Sequence, residues 1–276
     1  MTPPGRRTDA ILIRPLSSPE ELAQGVAIQR VTWGSEFTEV VPATILQICQ
    51  KVGGVAAGAF DPDGRMLGFV FGLTGIHHGR LVHWSHMLAV RPEARGLGLG
   101  KRLKLYQRDV LLPIEVVDVR WTFDPLVAHN ANLNLNALGA EIERYVPDMY
   151  GGNTGSDLHS GLGTDRLVAV WHIADDRVAR LLAGHAPPPA PAWVEAPVAN
   201  PGAAARAPLP DDSPVRIEVP ADIQAVKAQS LETARAWRAT TRRAFVWYLD
   251  AGYRVAGFIH GGARGPCTYV LARSTA

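Results

Sequence analysis

Met87-Leu88-Ala89-Val90-Arg91-Pro92-Glu93-Ala94-Arg95-Gly96-Leu97-Gly98-Leu99-Gly100-Lys101 is the stretch on which the reading of this chain turns. The run from His83 to Val90 is apolar and aromatic enough for a buried strand, and Pro92 stops it. Glycines follow at every second position, 96, 98 and 100. After them Leu99, Leu103, Tyr106 and Val110 recur at helical spacing and predict one apolar helix face. The glycines therefore fall where a helix begins. The first amides of a helix have no partner inside it. The helix dipole adds about half a positive charge there. Glycines let an anion approach the bare backbone. These residues predict a diphosphate site at Arg95, Gly96, Leu97, Gly98, Leu99, Gly100 and Lys101. Two nucleotide patterns fail on spacing. A Walker loop requires glycine where this chain has Arg95, and a dinucleotide fingerprint started at Gly96 or Gly98 lacks its third glycine.

Working outward, Ala10–Leu16 reads as a first strand, behind a loose tail at residues 1–9. Ser18-Pro19-Glu20-Glu21 starts a helix, with a cap, a first-position proline and acids in the first turn. Pro42 opens a second helix through Lys51. Val55–Phe60 and Met66–Leu73 form a hairpin about the turn Asp61-Pro62-Asp63-Gly64. Leu81–Val90 is the next strand, then the glycine loop and its helix, closed by Pro113. Val117–Phe123 is a strand, Ala128–Leu138 a short helix ending at Gly139, and Glu141–Val146 a strand. A glycine-rich loop over 151–165 precedes a strand at Leu167–Ile173. Asp175–Leu182 continues as a helix. Residues 186–214 hold nine of the 21 prolines and predict a semi-extended linker. Beyond it a strand at Val215–Val219, helices from Pro220 to Ala251 and a hairpin of Arg254–Ile259 with Cys267–Ala272 make a small unit. On its long helix Ala234, Trp237, Thr241, Ala244 and Tyr248 form a packing stripe, and Arg235, Arg238, Arg242 and Arg243 read as solvated.

Of 276 residues, 47% are hydrophobic and 20% charged, enough for a large core, and the net charge is +2. No basic run or face points to nucleic acid. No apolar run approaches membrane-spanning length, and the first residues lack the apolar core of a signal peptide. Cys49 and Cys267 lie far apart, form no metal or redox motif and suit a reducing compartment, so the reading is cytoplasmic.

Arg95-x-x-Gly98-x-Gly100, preceded by Leu88-Ala89-Val90-x-Pro92, resembles the acetyl-coenzyme A loop of the GNAT superfamily of acyltransferases. The element order over residues 10–173 is similar to that of the same superfamily. Trp121-Thr-Phe-Asp124-Pro125-Leu126, the asparagine-rich run Asn130 to Gly139, and Thr164-Asp165-Arg166 resemble a bacterial branch of it with no assigned substrate. The implied fold is α/β (α+β in some schemes): a GNAT-type mixed central sheet flanked by helices over 10–184. A linker over 185–214 would follow, then a small C-terminal α/β extension over 215–276, packed on the first domain or on a second copy of the chain. The implied activity is acetyl transfer from acetyl-coenzyme A, as co-substrate, to the amine of a small molecule or peptide. A non-catalytic acyl-coenzyme A sensor or scaffold is the alternative. By resemblance, the backbone of Leu88, Ala89 and Val90 would hold the thioester and pantetheine arm, residues 95–101 the diphosphate, and Asn130 the arm.

Many relatives place a tyrosine four residues before the glycine that ends the penultimate helix, as proton donor to the thiolate. Here that position is Leu135. Tyr145 and Tyr150 are candidate substitutes. His86 is the candidate base, since Trp84-x-His86-x-Leu88-x-Val90 resembles a histidine-bearing strand of arylalkylamine acetyltransferases; a core histidine is the other reading. His77, His78, His83 and His86 invite a metal, but His83 and His86 face opposite sides of a regular strand and need a bulge to share one. No metal is therefore assigned. Ser160 lacks the glycine that a hydrolase nucleophile elbow has at position 158.

Overall fold

The computed structural model describes residues 10–152, 154–185, 188–205, 208–262 and 265–273. The predicted tail at 1–9 lies outside the described residues. In chain order the strands and helices are β1 (Leu12–Pro15), α1 (Pro19–Trp33), α2 (Ala43–Lys51), β2 (Val55–Phe60), β3 (Met66–His77), β4 (Arg80–Val90), α3 (Leu99–Leu111) and β5 (Asp118–Phe123). Next come α4 (Ala128–Ala131), β6 (Glu141–Val146), β7 (Arg166–His172), α5 (Asp176–Leu182) and α6 (Pro191–Glu195). The chain closes with β8 (Val215–Val219), α7 (Ile223–Gln229), α8 (Leu231–Asp250), β9 (Tyr253–Ile259) and β10 (Cys267–Arg273). One sheet has the order β1-β2-β3-β4-β5-β7-β6, and a smaller one has the order β8-β10-β9. In the larger sheet β1 to β4 run antiparallel and β4 pairs with β5 in parallel. The architecture is a seven-stranded mixed sheet with flanking helices, as expected of a GNAT-type fold, plus a three-stranded extension. By compactness the chain divides into 1–120 with 155–157, and 121–154 with 158–276.

In the first unit, α1 starts at Ser18, whose side chain accepts from the Glu21 amide. Glu21 is held by both guanidinium nitrogens of Arg14, at 2.9 and 2.7 Å, and that pairing pulls its carboxyl down to about 2. Leu22 and Ile28 of α1 and Leu46 and Cys49 of α2 bury against Phe69, Phe71 and Met87 of the sheet. Gln29 is buried in this layer, and its amide spans Gly25 and Val41 at 2.7 to 3.2 Å, satisfying backbone that would otherwise be dry. β3 runs four residues past Leu73, because Thr74–His77 finds partners in Arg80–His83.

In the second unit, α4 passes into π-helical turns at Asn132–Ala137, where a plain helix was expected. Trp121 and Trp171 meet edge to face at 6.3 Å. Residues 191–203 carry more order than their composition predicts. Asn200 is 1% exposed and brackets Glu218 of β8 with two backbone hydrogen bonds at 2.8 and 3.0 Å. Trp193 lies on Gly257, where a Cβ would come within 2.4 Å of its ring. A few anchoring side chains thus order a proline-rich segment that has no apolar periodicity. α8 buries Ala234, Trp237, Thr241, Ala244, Phe245 and Tyr248, the expected stripe plus Phe245. Phe245 sits between Tyr145 and Tyr269 at 5.3 and 5.1 Å. Arg238 is a correction to the solvated arginines: it is 5% exposed and pairs with Asp124 at 2.6 Å.

Candidate functional site

In the first unit, β4 ends at Val90, a short 3-10 turn spans Pro92–Ala94, and the glycine loop delivers the chain into α3. Gly96 and Gly98 have φ of 81° and 70°, in the left-handed region where a side chain is strained. A Cβ at either would meet nothing within 4 Å. No side chain caps α3, and no acid occupies its first turn. Its opening amides and the open ground before them fit an anionic group. Ala89 and Leu99 are 2% and 1% exposed. Arg95, Gly96 and Gly98 are exposed, and Leu97, Gly100 and Lys101 half-buried.

The parallel β4–β5 ladder covers only Val82–Trp84 opposite Asp118–Arg120. From Ser85 onward β4 keeps its β3 partners, with one slip. Gly72 pairs with Ser85 and Phe71 with Met87, so His86 is the extra residue of a bulge. The bulge that a shared metal would need is present, but it does not bring the two histidines together. His83 is fully buried and His86 is exposed, alongside half-buried Leu88 and Val90. His86 meets the Phe71 ring edge-on at 6.1 Å. Surrounding protein lowers its pKa below the usual 6.5, and the carboxylate of Glu39 works against that shift. Among the described residues no group of three or more His, Cys, Asp or Glu gathers to hold a metal.

Beneath this strand lie groups that the apolar spacing of α3 concealed. Its buried face is Leu99, Leu103, Lys104, Gln107 and Leu111, not the Tyr106–Val110 line. Lys104 Nζ donates to Ser85 Oγ at 2.9 Å and to Gln107 Oε1 at 3.0 Å. Burial drives its pKa well below that of a free lysine.

In the second unit, Asp124-Pro125-Leu126 is a turn in which the Asp124 carboxylate accepts from the Leu126 amide at 2.8 Å. Around it the motif residues meet α8. Arg238 donates to Asp124, and Arg242 donates to Asp148 at 2.9 Å and to Asp165. Arg166 donates to His159 Nε2 at 2.7 Å, which leaves the proton on Nδ1 facing Thr154. Burial and the neighbouring Arg166 push His159 down to about 4. Tyr269 Oη donates to the Pro125 carbonyl at 2.9 Å. Asp124 and Asp165, read in sequence as part of the likeness to a bacterial branch with no assigned substrate, anchor the C-terminal helix through Arg238 and Arg242.

Leu135 is half-buried in the π-helical turns, and Asn130 lies on α4. Tyr145 donates its hydroxyl to Asp165 and stacks on Phe245; burial and Asp165 raise its pKa beyond the range of a proton donor at neutral pH. Tyr150 is 41% exposed, with its hydroxyl 2.8 Å from Thr122 Oγ1. A groove of about 930 Å³ follows α8 past Arg235, Arg242, Val246 and Trp247. Arg242 there is paired with Asp148 and Asp165.

No protein-family model matches the chain, and no curated protein matches it. Among solved structures it is similar to the NatC complex bound to Gag peptide and CoA (17% identity, 59% of this chain and 98% of that one, TM-score 0.46). It is similar to aminoglycoside 6'-acetyltransferase type Ii (18% identity, 59% and 98%, TM-score 0.46). The ribosomal-protein-S18-alanine N-acetyltransferase from Escherichia coli is a third (16% identity, 60% and 95%, TM-score 0.46). The sheet order, the short parallel ladder at β4–β5 and the glycine start of α3 are features of this chain itself.

Proposed function

We propose that this chain is an N-acetyltransferase that moves the acetyl group of acetyl-coenzyme A to the amine of a small molecule or peptide. The observation that carries the reading is the uncapped, glycine-lined start of α3 directly after a strand that leaves its parallel neighbour. Amides of residues 95–101 bind the diphosphate, and the backbone of Leu88, Ala89 and Val90 meets the pantetheine arm and thioester. His86 takes a proton from the acceptor ammonium, directly or through a water. The freed nitrogen lone pair attacks the thioester carbon, the C–N bond forms, the C–S bond breaks, and the thiolate leaves with a proton. An imidazole with a lowered pKa is unprotonated at neutral pH and ready for that step. The proton that the attacking nitrogen sheds neutralises the departing thiolate.

Calorimetry with acetyl-coenzyme A, followed by thiol release on a panel of amines, tests the reading. Binding in the micromolar range corresponds to about −8 kcal/mol. Binding with thiol release on at least one amine is the expected result. Binding with no release on any amine makes the chain a sensor, and no binding at all removes the reading.

A further inference from the structure

The helix that carries the glycine loop also reaches under the strand that carries His86. Lys104 and Gln107 leave α3 toward β4 and are 2% and 0% exposed. Gln107 presents its Nε2 to His83 Nε2 at 2.9 Å. That amide can only donate, so the imidazole carries its proton on Nδ1. Nδ1 in turn faces Thr74 Oγ1 at 2.9 Å, and Thr74 gives its own proton to the Gly53 carbonyl at 2.6 Å. The absence of a side chain at Gly72 makes room for the ring, because a Cβ there would lie 2.2 Å from His83 Nε2. With the two donations from Lys104, one hydrogen-bonded chain runs from Gly53 through Thr74, His83, Gln107 and Lys104 to Ser85.

Its two points of attachment on β4 are residues 83 and 85. The next residue, His86, is the one the β3–β4 ladder skips. A bulged residue has no partner across the ladder, so its direction follows from how its neighbours are held. An apolar layer of the same volume would fill this space without burying an amine. Burying one between a cofactor-type helix and a bulge is a costly arrangement that packing alone does not require. We infer that Lys104 and Gln107 are positioning residues, which hold the β4 bulge so that His86 keeps its bearing and tie that bearing to the helix whose start takes the diphosphate. The inference rests on the proposed acetyl transfer for its functional meaning. Among the described residues, the charged group acting on His86 is Glu39 on the α1–α2 connection, and Phe71 of β3 meets the imidazole edge-on.

The test uses the full chain with ¹³C-labelled histidine. The His86 signal is assigned by its loss in His86→Gln. In Lys104→Met and Gln107→Leu the His86 titration should move by about half a pH unit or more, as its surroundings loosen. Coenzyme A affinity should stay within about twofold, since the glycine loop is untouched. Turnover should fall about tenfold or more with KM for acetyl-coenzyme A little changed. An unchanged His86 titration in folded variants overturns the inference, whatever happens to turnover. If the unmodified protein acetylates nothing, the proposed function fails, while the His86 signal still decides this inference. Should Lys104→Met not fold, Ser85→Ala and Gln107→Leu carry the same measurement.

Discussion

At the scale of single residues, the proposed acetyl transfer depends on one imidazole and on glycine backbone geometry. A lysine-like acceptor with a pKa of about 10.4 is almost wholly protonated at neutral pH and cannot attack a thioester. His86→Gln should therefore keep acetyl-coenzyme A binding and lower turnover at pH 7 by about 10²-fold, the lower range for general base catalysis. The deficit should shrink at high pH, where the amine deprotonates unaided; equal turnover across the range would remove His86 from the mechanism. Gly98 sits at φ 70° with open space where a Cβ would go. Gly98→Val both strains the backbone and fills that space, so a folded variant should bind acetyl-coenzyme A at least about 10²-fold more weakly, a loss of roughly 3 kcal/mol by calorimetry. Unchanged binding would move the diphosphate elsewhere. Both residues are legible in the sequence, since a glycine triplet before a helix and a histidine in an alternating strand are local patterns. Lys104 and Gln107 are not. Their burial depends on which side of α3 meets the sheet, and the polar partners that make it tolerable lie about twenty residues away on β4.

At the scale of elements, β4 and α3 act as one piece, and their buried imidazole ties stability to pH. Burial first, and the neighbouring Lys104 second, push His83 down to about 3 from an ordinary 6.5. The unfolded chain thus takes up this proton at a higher pH than the folded one. Stability should be full above about 6.5 and fall as pH drops from there toward 3, by up to about 1.4 kcal/mol per unit. Urea unfolding at pH 7.5 and 4.5 checks it: His83→Gln should lose less stability between the two than the unmodified chain. His159, at about 4, adds a slope of the same sign in the second unit, and it is the same in both proteins. An identical loss in variant and parent would show that His83 does not carry the effect.

At the scale of the whole molecule, the C-terminal segment shares a compact unit with residues 121–154. Arg238 and Asp124 are 6% and 14% exposed at their side chains and 2.6 Å apart. Removing one partner of such a pair leaves a charge buried alone. Arg238→Met should cost about 3–5 kcal/mol in urea unfolding, and adding Asp124→Asn should recover part of it. A loss under about 1 kcal/mol would make the pair a surface-type contact. A chain ended at Ala183 loses Arg238, Arg242, Phe245 and Tyr269 together, and should melt lower or aggregate in a thermal scan. Melting like the full chain would show that the segment is an independent module.

The order of strands and helices outside the proline-rich segment, the glycine start of α3 and the apolar stripe of α8 could be read along the chain, because each is a short-range pattern of period two, period three to four, or turn chemistry. Three things needed the folded structure. The bulge at His86 arises from how β3 and β4 register, which no single strand encodes. The buried polar chain under β4 joins residues from four separate segments. The role of Asp124 and Asp165 as seats for arginines of α8 joins positions some 77 to 114 residues apart. Charged and amide side chains look alike in sequence whether solvated or buried; only the arrival of a distant partner makes their burial affordable, and that is decided in three dimensions.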